Sequence, residues 1–337
     1  MKRWTALIDD MVAGRWINPE TGKPGTVPYK SVVIAETLEG RESELVTSLG
    51  IKGRIAVVCD ENTRDVMGLR VAKALQAAHN SGISGVETVV LDHPHADEAN
   101  LDGLREKTRH VDALVAVGSG TINDLCKYVT ATDGRRYCVF GTAPSMNGYT
   151  STTASITLAN GLKVSKPAHA PLGVFIDLKV NAAVPTYLVA SGFGDCLVRS
   201  VAQFDWWLSH RMLDTFYTEL PFQLEAADER ELMARASDLA KGDIEAVGYL
   251  QRVLTPLRLR RQLHRHEQSW LDGRASDFAL HRLLRRRPSS RHFAWTTGRR
   301  RKPDHGAVAK TPSRCRHASD GFRHEDRRRR YAPPLRH

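Results

Sequence analysis

Short apolar runs alternate with helix-compatible segments through the first 180 residues. Arg54 to Asp60 (RIAVVCD) follows Gly53 and ends in an acid, the segment DVMGLRVAKALQAAH after it has helical spacing, and Gly85 to Leu91 (GVETVVL) is a second apolar run. A third, Asp112 to Val117 (DALVAV), runs into Gly118-Ser119-Gly120 and a helix start. Strands alternating with helices predict an α/β chain with a parallel sheet, whose ligands gather at the carboxyl ends of the strands. Past residue 180 the pattern changes to longer helical segments, Tyr187 to Leu208 and Glu225 to Lys241, which predicts a second, helical domain. From Pro256 onward arginines fall on every face of any helix that could be drawn, and no apolar period of either kind is sustained. The expected organisation is therefore an α/β domain over 1–180, a helical domain beginning at 181–255, and a poorly ordered tail over 256–337.

Charge sharpens that last boundary. The 337-residue chain has a net charge of +11, yet residues 1–250 are acidic at −6 while residues 251–337 carry +17, with 22 arginines and only Lys302 and Lys310 as lysines. A surface selected for phosphate contacts is free to mix the two cations, so the tail is a weak argument for nucleic acid. Five cysteines with no CxxC pair argue against a disulfide framework and a thiolate zinc site, and predict reduced, mostly buried thiols. No apolar stretch is long enough to span a bilayer, and the N-terminal MKRWTALIDDMVAG has acids where a secretory leader needs apolar residues; the expected location is the cytoplasm.

Three segments carry candidate chemistry. In VAVGSGTINDLCKY a strand enters Gly118, Ser119, Gly120 and Thr121 and then a helix bearing Asp124 and Lys127. Glycines let backbone N–H groups approach a phosphate, and the helix N-terminus supplies partial positive charge; a tight strand-to-helix turn with an ordinary cap has equal weight. The second segment, Thr142 to Ser151, gathers hydroxyls, Pro144 and Gly148 after a short strand, which suits a loop closing over nucleotide and substrate, or a simple turn. Asp60, at the end of its strand, suits either a ribose contact or a turn. The third segment, SGFGDCLVRSVAQFDWWL, sets Asp195 just inside a helix, as a helix-dipole acid or a metal ligand; the Trp206-Trp207 pair reads as core.

Taken in order, GSGTINDLCKY, TAPSMNGYTSTTASIT, APLGVFIDLKV and SGFGDCLVRSVAQFDWWLS resemble the sn-glycerol-1-phosphate dehydrogenase family, within the iron-containing alcohol dehydrogenase and dehydroquinate synthase superfamily, over about residues 30–254. The resemblance implies a Rossmann-like N-terminal domain with a parallel sheet, an all-helical C-terminal domain that is incomplete here, and a metal-bearing cleft between them. It implies NAD(P)H-dependent reduction of dihydroxyacetone phosphate to sn-glycerol 1-phosphate, or its reverse, and a place in phospholipid metabolism. Gly118, Ser119, Gly120, Thr121 and Ile122 match the family's pyrophosphate loop; Thr142, Ser145 and Ser151 match nucleotide contacts. Asn147 stands where the family usually has a substrate-contacting aspartate. Asp195 matches the carboxylate ligand of a catalytic divalent metal, zinc first, with nickel or iron as alternatives, and touches substrate. Asp60 favours NAD over NADP, because a carboxylate repels a 2′-phosphate. A homo-oligomer is compatible with the resemblance.

The family's metal also takes two histidines, from a Gly-Ser-x-Gly-Glu-His segment and a His-Gly segment, and neither is legible in the tail. HEQSWLDGRASD can be written in synonymous codons that, read one base later, give TSNHGSMGEHQ, and FAWTTGRRR in codons that at the same offset give LHGQQVGV. The expectation is a one-base insertion near Thr255-Pro256 that makes residues 256–337 an out-of-frame translation and deprives the chain of two metal ligands. His264, His266, His281 and His292 match no ligand pattern. Three functions are ranked: a metal-dependent dehydrogenase impaired in this chain, an inactive nucleotide-binding protein, and last a nucleic-acid binder, which would need salt-steep binding lost on truncation after Thr255.

Overall fold

The apolar runs at 54–60, 85–91 and 112–117 become neighbouring strands in the computed structural model, which describes residues 4–78 and 82–255. The segment 256–337, with its histidines, Cys315 and the frame junction's downstream side, lies outside the described residues. In chain order the strands are β1 (Ser31–Ala35), β2 (Gly53–Asp60), β3 (Ile83–Leu91), β4 (Ala113–Gly118), β5 (Arg136–Gly141), β6 (Thr153–Thr157), β7 (Lys163–Pro167) and β8 (Gly173–Asp177). Six of them form one parallel sheet in the order β1-β8-β5-β4-β2-β3, while β6 and β7 pair as an antiparallel hairpin.

Both faces of the sheet's centre are covered, which is why β2 and β4 read as continuous apolar runs. Helix α1 (Ala6–Val12) precedes β1, and the helices between strands are α2 (Glu42–Ser48), α3 (Glu61–Thr63), α4 (Leu69–Gln76), α5 (Glu98–Thr108) and α6 (Gly120–Asp133), with a π-turn at Arg64–Gly68 leading into α4. Ile55, Val57, Val115 and Val117 pack with Val71 and Leu75 of α4 on one face. Ala56, Val58, Leu114 and Ala116 pack with Leu104 of α5 and Ile122 and Leu125 of α6 on the other. The chain leaves β2 for the outer neighbour β3, then returns inside to β4 and moves the other way to β5. That reversal opens a crevice at the carboxyl ends of β2 and β4, where the Gly118-Ser119-Gly120 turn lies.

The remaining helices are α7 (Leu178–Ala182), α8 (Thr186–Leu197), α9 (Arg199–Leu213), α10 (Leu220–Ala234), α11 (Ala236–Leu239) and α12 (Ile244–Val253). The run expected as one helix over 187–208 is divided at Val198, whose ψ of −13 relaxes the helix between α8 and α9. The run expected over 225–241 begins earlier, at Leu220 with Pro221 in the first turn, and breaks at Arg235. Every residue of α12 from Ala246 to Val253 is buried. Its Gln251 donates to Asn181 Oδ1 at 2.6 Å, and Asn181 donates to Gly141 O at 2.8 Å, which ties the helices to the carboxyl end of β5. Trp206 is fully buried and donates to Phe216 O at 2.7 Å, whereas Trp207 is 41% exposed against Phe204, so only half of that pair is core. Cys59, Cys126, Cys138 and Cys196 are free and buried. No helix among the described residues is long and apolar enough to cross a membrane.

Candidate active site

At the end of β4 the chain turns through Gly118 and Ser119 into α6. A Cβ on Gly118 would stand 2.7 Å from Ile122 Cβ, so only glycine lets the strand end pack this closely on the first turn of the helix. Ser119 is the N-cap, in extended conformation, but its side chain makes no capping bond. The first-turn N–H groups, which have no partner inside a helix, therefore face the crevice without the usual hydroxyl over them. This is the arrangement that receives an anion.

Ser119, Gly120 and Thr121 form one wall of a cavity of about 580 Å³. The loop after β5 supplies Ser145, Met146, Asn147, Gly148 and Ser151; the β6–β7 hairpin adds Thr153, Ser155 and Lys163; α8 adds Leu188, Ser191 and Asp195. Helix α8 and the loop are seated on each other. A Cβ on Gly192 would fall 1.9 Å from Pro144 O, Ser191 Oγ donates to Ser145 O at 3.1 Å, and Asn147 N–H donates to Asp195 Oδ2 at 3.2 Å.

Of the residues singled out in the sequence, Ser119, Gly120, Thr121, Ser145, Asn147, Ser151 and Asp195 meet in this cavity. Gly118 and Ile122 stand behind it as packing residues, and Thr142 is buried with its N–H on Gly118 O at 3.2 Å. Asp60 is not among the lining residues: its Oδ1 caps α3, accepting from Asn62 N at 3.0 Å and Thr63 N at 2.8 Å. The turn reading of Asp60 thus accounts for one of its oxygens.

Asp124, named on its helix in the sequence without an assigned role, also lines the cavity and accepts from Ser155 N at 3.0 Å. Lys163 of β7 is a lining cation that went unread in the sequence. The bond of Asp124 and the place of Lys163 both depend on the β6–β7 hairpin, in which Ala154 and Ile156 are buried.

Metal ligation is less complete. The lining side chains include the carboxylates Asp195 and Asp124 and no imidazole among the described residues. The neighbouring Cys196 thiol is pushed up to about 12 by burial, against the pull of Arg199, so it stays protonated and is a poor ligand. The one described trio of ligating side chains, Glu61, Asp92 and His93, lies at the ends of β2 and β3, away from Asp195; there His93 Nδ1 pairs with Glu61 Oε1 at 2.6 Å.

Residues 33–185 match the family model described as iron-containing alcohol dehydrogenase. The chain is 34% identical over 171 residues to a Bacillus velezensis glycerol-1-phosphate dehydrogenase [NAD(P)+], covering 48% of this chain and 42% of that one. It is 30% identical over 225 residues to the enzyme of the same name from Methanosarcina mazei, covering 66% and 61%. The chain thus spans about half the length of the curated relatives it matches. Among solved structures it is similar to glycerol dehydrogenase from Schizosaccharomyces pombe (TM-score 0.56, 18% identity, 68% of this chain and 59% of that one) and to an iron-containing alcohol dehydrogenase from Thermotoga maritima (TM-score 0.52, 15% identity, 75% and 67%). These likenesses confirm the α/β, Rossmann-like fold with its parallel sheet.

Proposed function

We propose, from the premise that this chain belongs to the iron-containing alcohol dehydrogenase family through residues 33–185, that its cavity binds NAD(P) and serves reduction of dihydroxyacetone phosphate to sn-glycerol 1-phosphate. The observation that carries this reading is the meeting of the uncapped α6 N-terminus, the hydroxyls of Ser119 and Ser145, and Asp195 in one cavity. The diphosphate would rest on the N–H groups of Gly120 and Thr121, with Ser119 and Ser145 donating beside it. The cation of Lys163 favours an anionic ligand in the same space.

The nucleotide fits the residues present. The family's divalent metal does not fit the described ones, because a catalytic metal site takes about three protein ligands and the lining supplies Asp195, the distant wall's Asp124 and no imidazole. No step is therefore derived through a metal. That same shortage favours the second reading, a nucleotide-binding chain with little turnover. In this proposal residues 1–180 bind the nucleotide, 181–255 begin the metal and substrate part, and 256–337 are an out-of-frame translation that resequencing of the coding DNA across Thr255-Pro256 would expose.

The test is an NADH fluorescence titration paired with a dihydroxyacetone phosphate reduction assay, with and without added zinc or nickel. Binding with turnover far below that of a full-length relative is expected. Turnover at a relative's level would overturn the impairment; failure to bind either nicotinamide nucleotide would overturn the nucleotide reading itself.

A further inference from the structure

Lys127 is the most deeply buried cation near the cavity, with a side chain 0% exposed. Burying an ammonium is costly unless its donors are satisfied, and here all three are engaged. Nζ donates to Gly148 O at 2.8 Å, to Ser151 Oγ at 2.7 Å and to Thr153 O at 3.2 Å, and lies 3.6 Å from Asp124 Oδ1. Its partners come from the loop after β5 and from the first residue of β6. One helical turn earlier, Asp124 Oδ2 holds Ser155 N at 3.0 Å. The two oppositely charged side chains thus bind α6 to the whole 148–155 stretch.

That stretch is also gripped from the other side. Asn147, immediately before Gly148, donates its N–H to Asp195 of α8, and Ser145 O accepts from Ser191. The path from the phosphate-type helix to the acidic residue across the cavity runs from Lys127 to the Gly148 carbonyl, along one residue of backbone, to the Asn147 N–H and Asp195. Met146 fills the remaining space, with its sulfur accepting from Gly148 N.

We propose that Lys127 is a positioning residue: its ammonium, held with Ser151 Oγ, whose own O–H goes to Thr153 O at 2.7 Å, keeps the 145–151 loop at the spacing from α6 that lets Ser145 and Asn147 reach a ligand lying on the α6 N-terminus. The role rests on the nucleotide reading for its ligand, but the positioning is a property of the chain. A lysine in that role sets the geometry of one loop. A lysine that merely filled space would support α6, β4 and the loop alike.

The experiment compares full-length wild type with Lys127→Met and Ser151→Ala by amide hydrogen exchange and by NADH titration, well below the melting temperature. Lys127→Met should raise exchange at 145–151 at least tenfold, leave the protected amides of α6 and β4 unchanged, and weaken NADH binding at least tenfold. Ser151→Ala, which removes one of the three acceptors, should raise exchange in the same loop a few-fold. Unchanged loop exchange in a folded Lys127→Met protein, or a rise shared equally by α6 and β4, would overturn the proposal. If Lys127→Met does not fold, Ser151→Ala decides by the same loop. Should wild type fail to bind NADH, the nucleotide reading falls while the exchange comparison still rules on the lysine.

Discussion

Asn147 N–H donates to Asp195 Oδ2 at 3.2 Å, joining the loop after β5 to the last turn of α8, not to the first helical turn where the sequence had set Asp195, through a backbone donor that every residue except proline possesses. The bond survives any side chain at 147 other than proline's, so the contact between loop and helix is insulated from the side chain there. It needs an acceptor at 195, and an amide carbonyl can take that place, more weakly than a carboxylate. Asp195→Asn should therefore leave the melting temperature close to wild type while abolishing any metal-stimulated reduction of dihydroxyacetone phosphate. Asp195→Ala removes the acceptor and should cost about 1 kcal/mol as well. Thermal melts beside the NADH-coupled assay separate the two effects; equal loss of stability in both variants would deny the bond its importance.

Gly192 and Gly194 occupy the same helix under opposite constraints. A Cβ at 192 would lie 1.9 Å from the Pro144 carbonyl oxygen, whereas at 194 nothing lies within 4 Å. Gly192→Ala must push the backbone of the loop away from α8, with an expected loss of about 1–3 kcal/mol or more and weaker NADH binding. Gly194→Ala gains helix propensity in open space and should stabilise by up to about 1 kcal/mol. Urea denaturation of the pair checks the seating of α8, and a neutral Gly192→Ala would show that the loop does not sit there.

The contrast bears on what the sequence made legible. The strands at 54–60 and 112–117 announced themselves because strands covered on both faces are apolar nearly throughout, the edge strand at 85–91 by its β-branched residues Val86, Val89 and Val90, and the Gly118 turn by composition. The short β1 and the polar β6–β7 hairpin did not, since half of each strand faces outward and the strands are five residues long. Lys127 was visible on its helix, but the three acceptors that explain it come 21 to 26 residues later, brought back by the unread hairpin. Asp195 was marked by likeness to relatives, while the backbone donor beside it comes from a residue 48 positions away, beyond the reach of local pattern.

His169 provides a pH signature in the same region. Burial, followed by the nearby charge of Lys127, lowers its pKa below the ordinary 6.5; its Nε2 lies 2.9 Å from Thr130 Oγ1 and its ring stacks on Tyr137 at 5.4 Å. The unfolded chain thus binds the proton at higher pH than the folded one. Stability from this group is full above about pH 6.5 and falls as pH drops from there toward the lowered folded value, because the unfolded state takes up the extra proton. Melts between pH 7.5 and 5 should show that decline, and His169→Gln, which cannot titrate, should lessen it. An unchanged profile in the variant would assign the acid sensitivity elsewhere.

The helices beyond residue 178 hold a buried charge cluster whose removal reads out their fold directly. Arg199 of α9 pairs with the fully buried Glu225 of α10 and, through Nε, with Glu229 at 2.9 Å; its Nη1 also reaches Val253 O of α12 at 3.4 Å, and its guanidinium lies 5.6 Å from the Phe222 ring. Burial raises the pKa of Glu229 even with that arginine beside it, so the cation is what allows these carboxylates to remain together in the interior. Arg199→Met leaves Glu225 buried opposite an apolar chain and should cost about 3–5 kcal/mol, the penalty for an uncompensated buried charge. Arg199→Met combined with Glu225→Leu removes both charges and fills similar space, so it should recover most of that loss, since the desolvation of two ions offsets much of their attraction. Chemical denaturation of the two singles and the double gives the coupling. Additive losses would mean that α9 and α10 do not meet through this pair in solution.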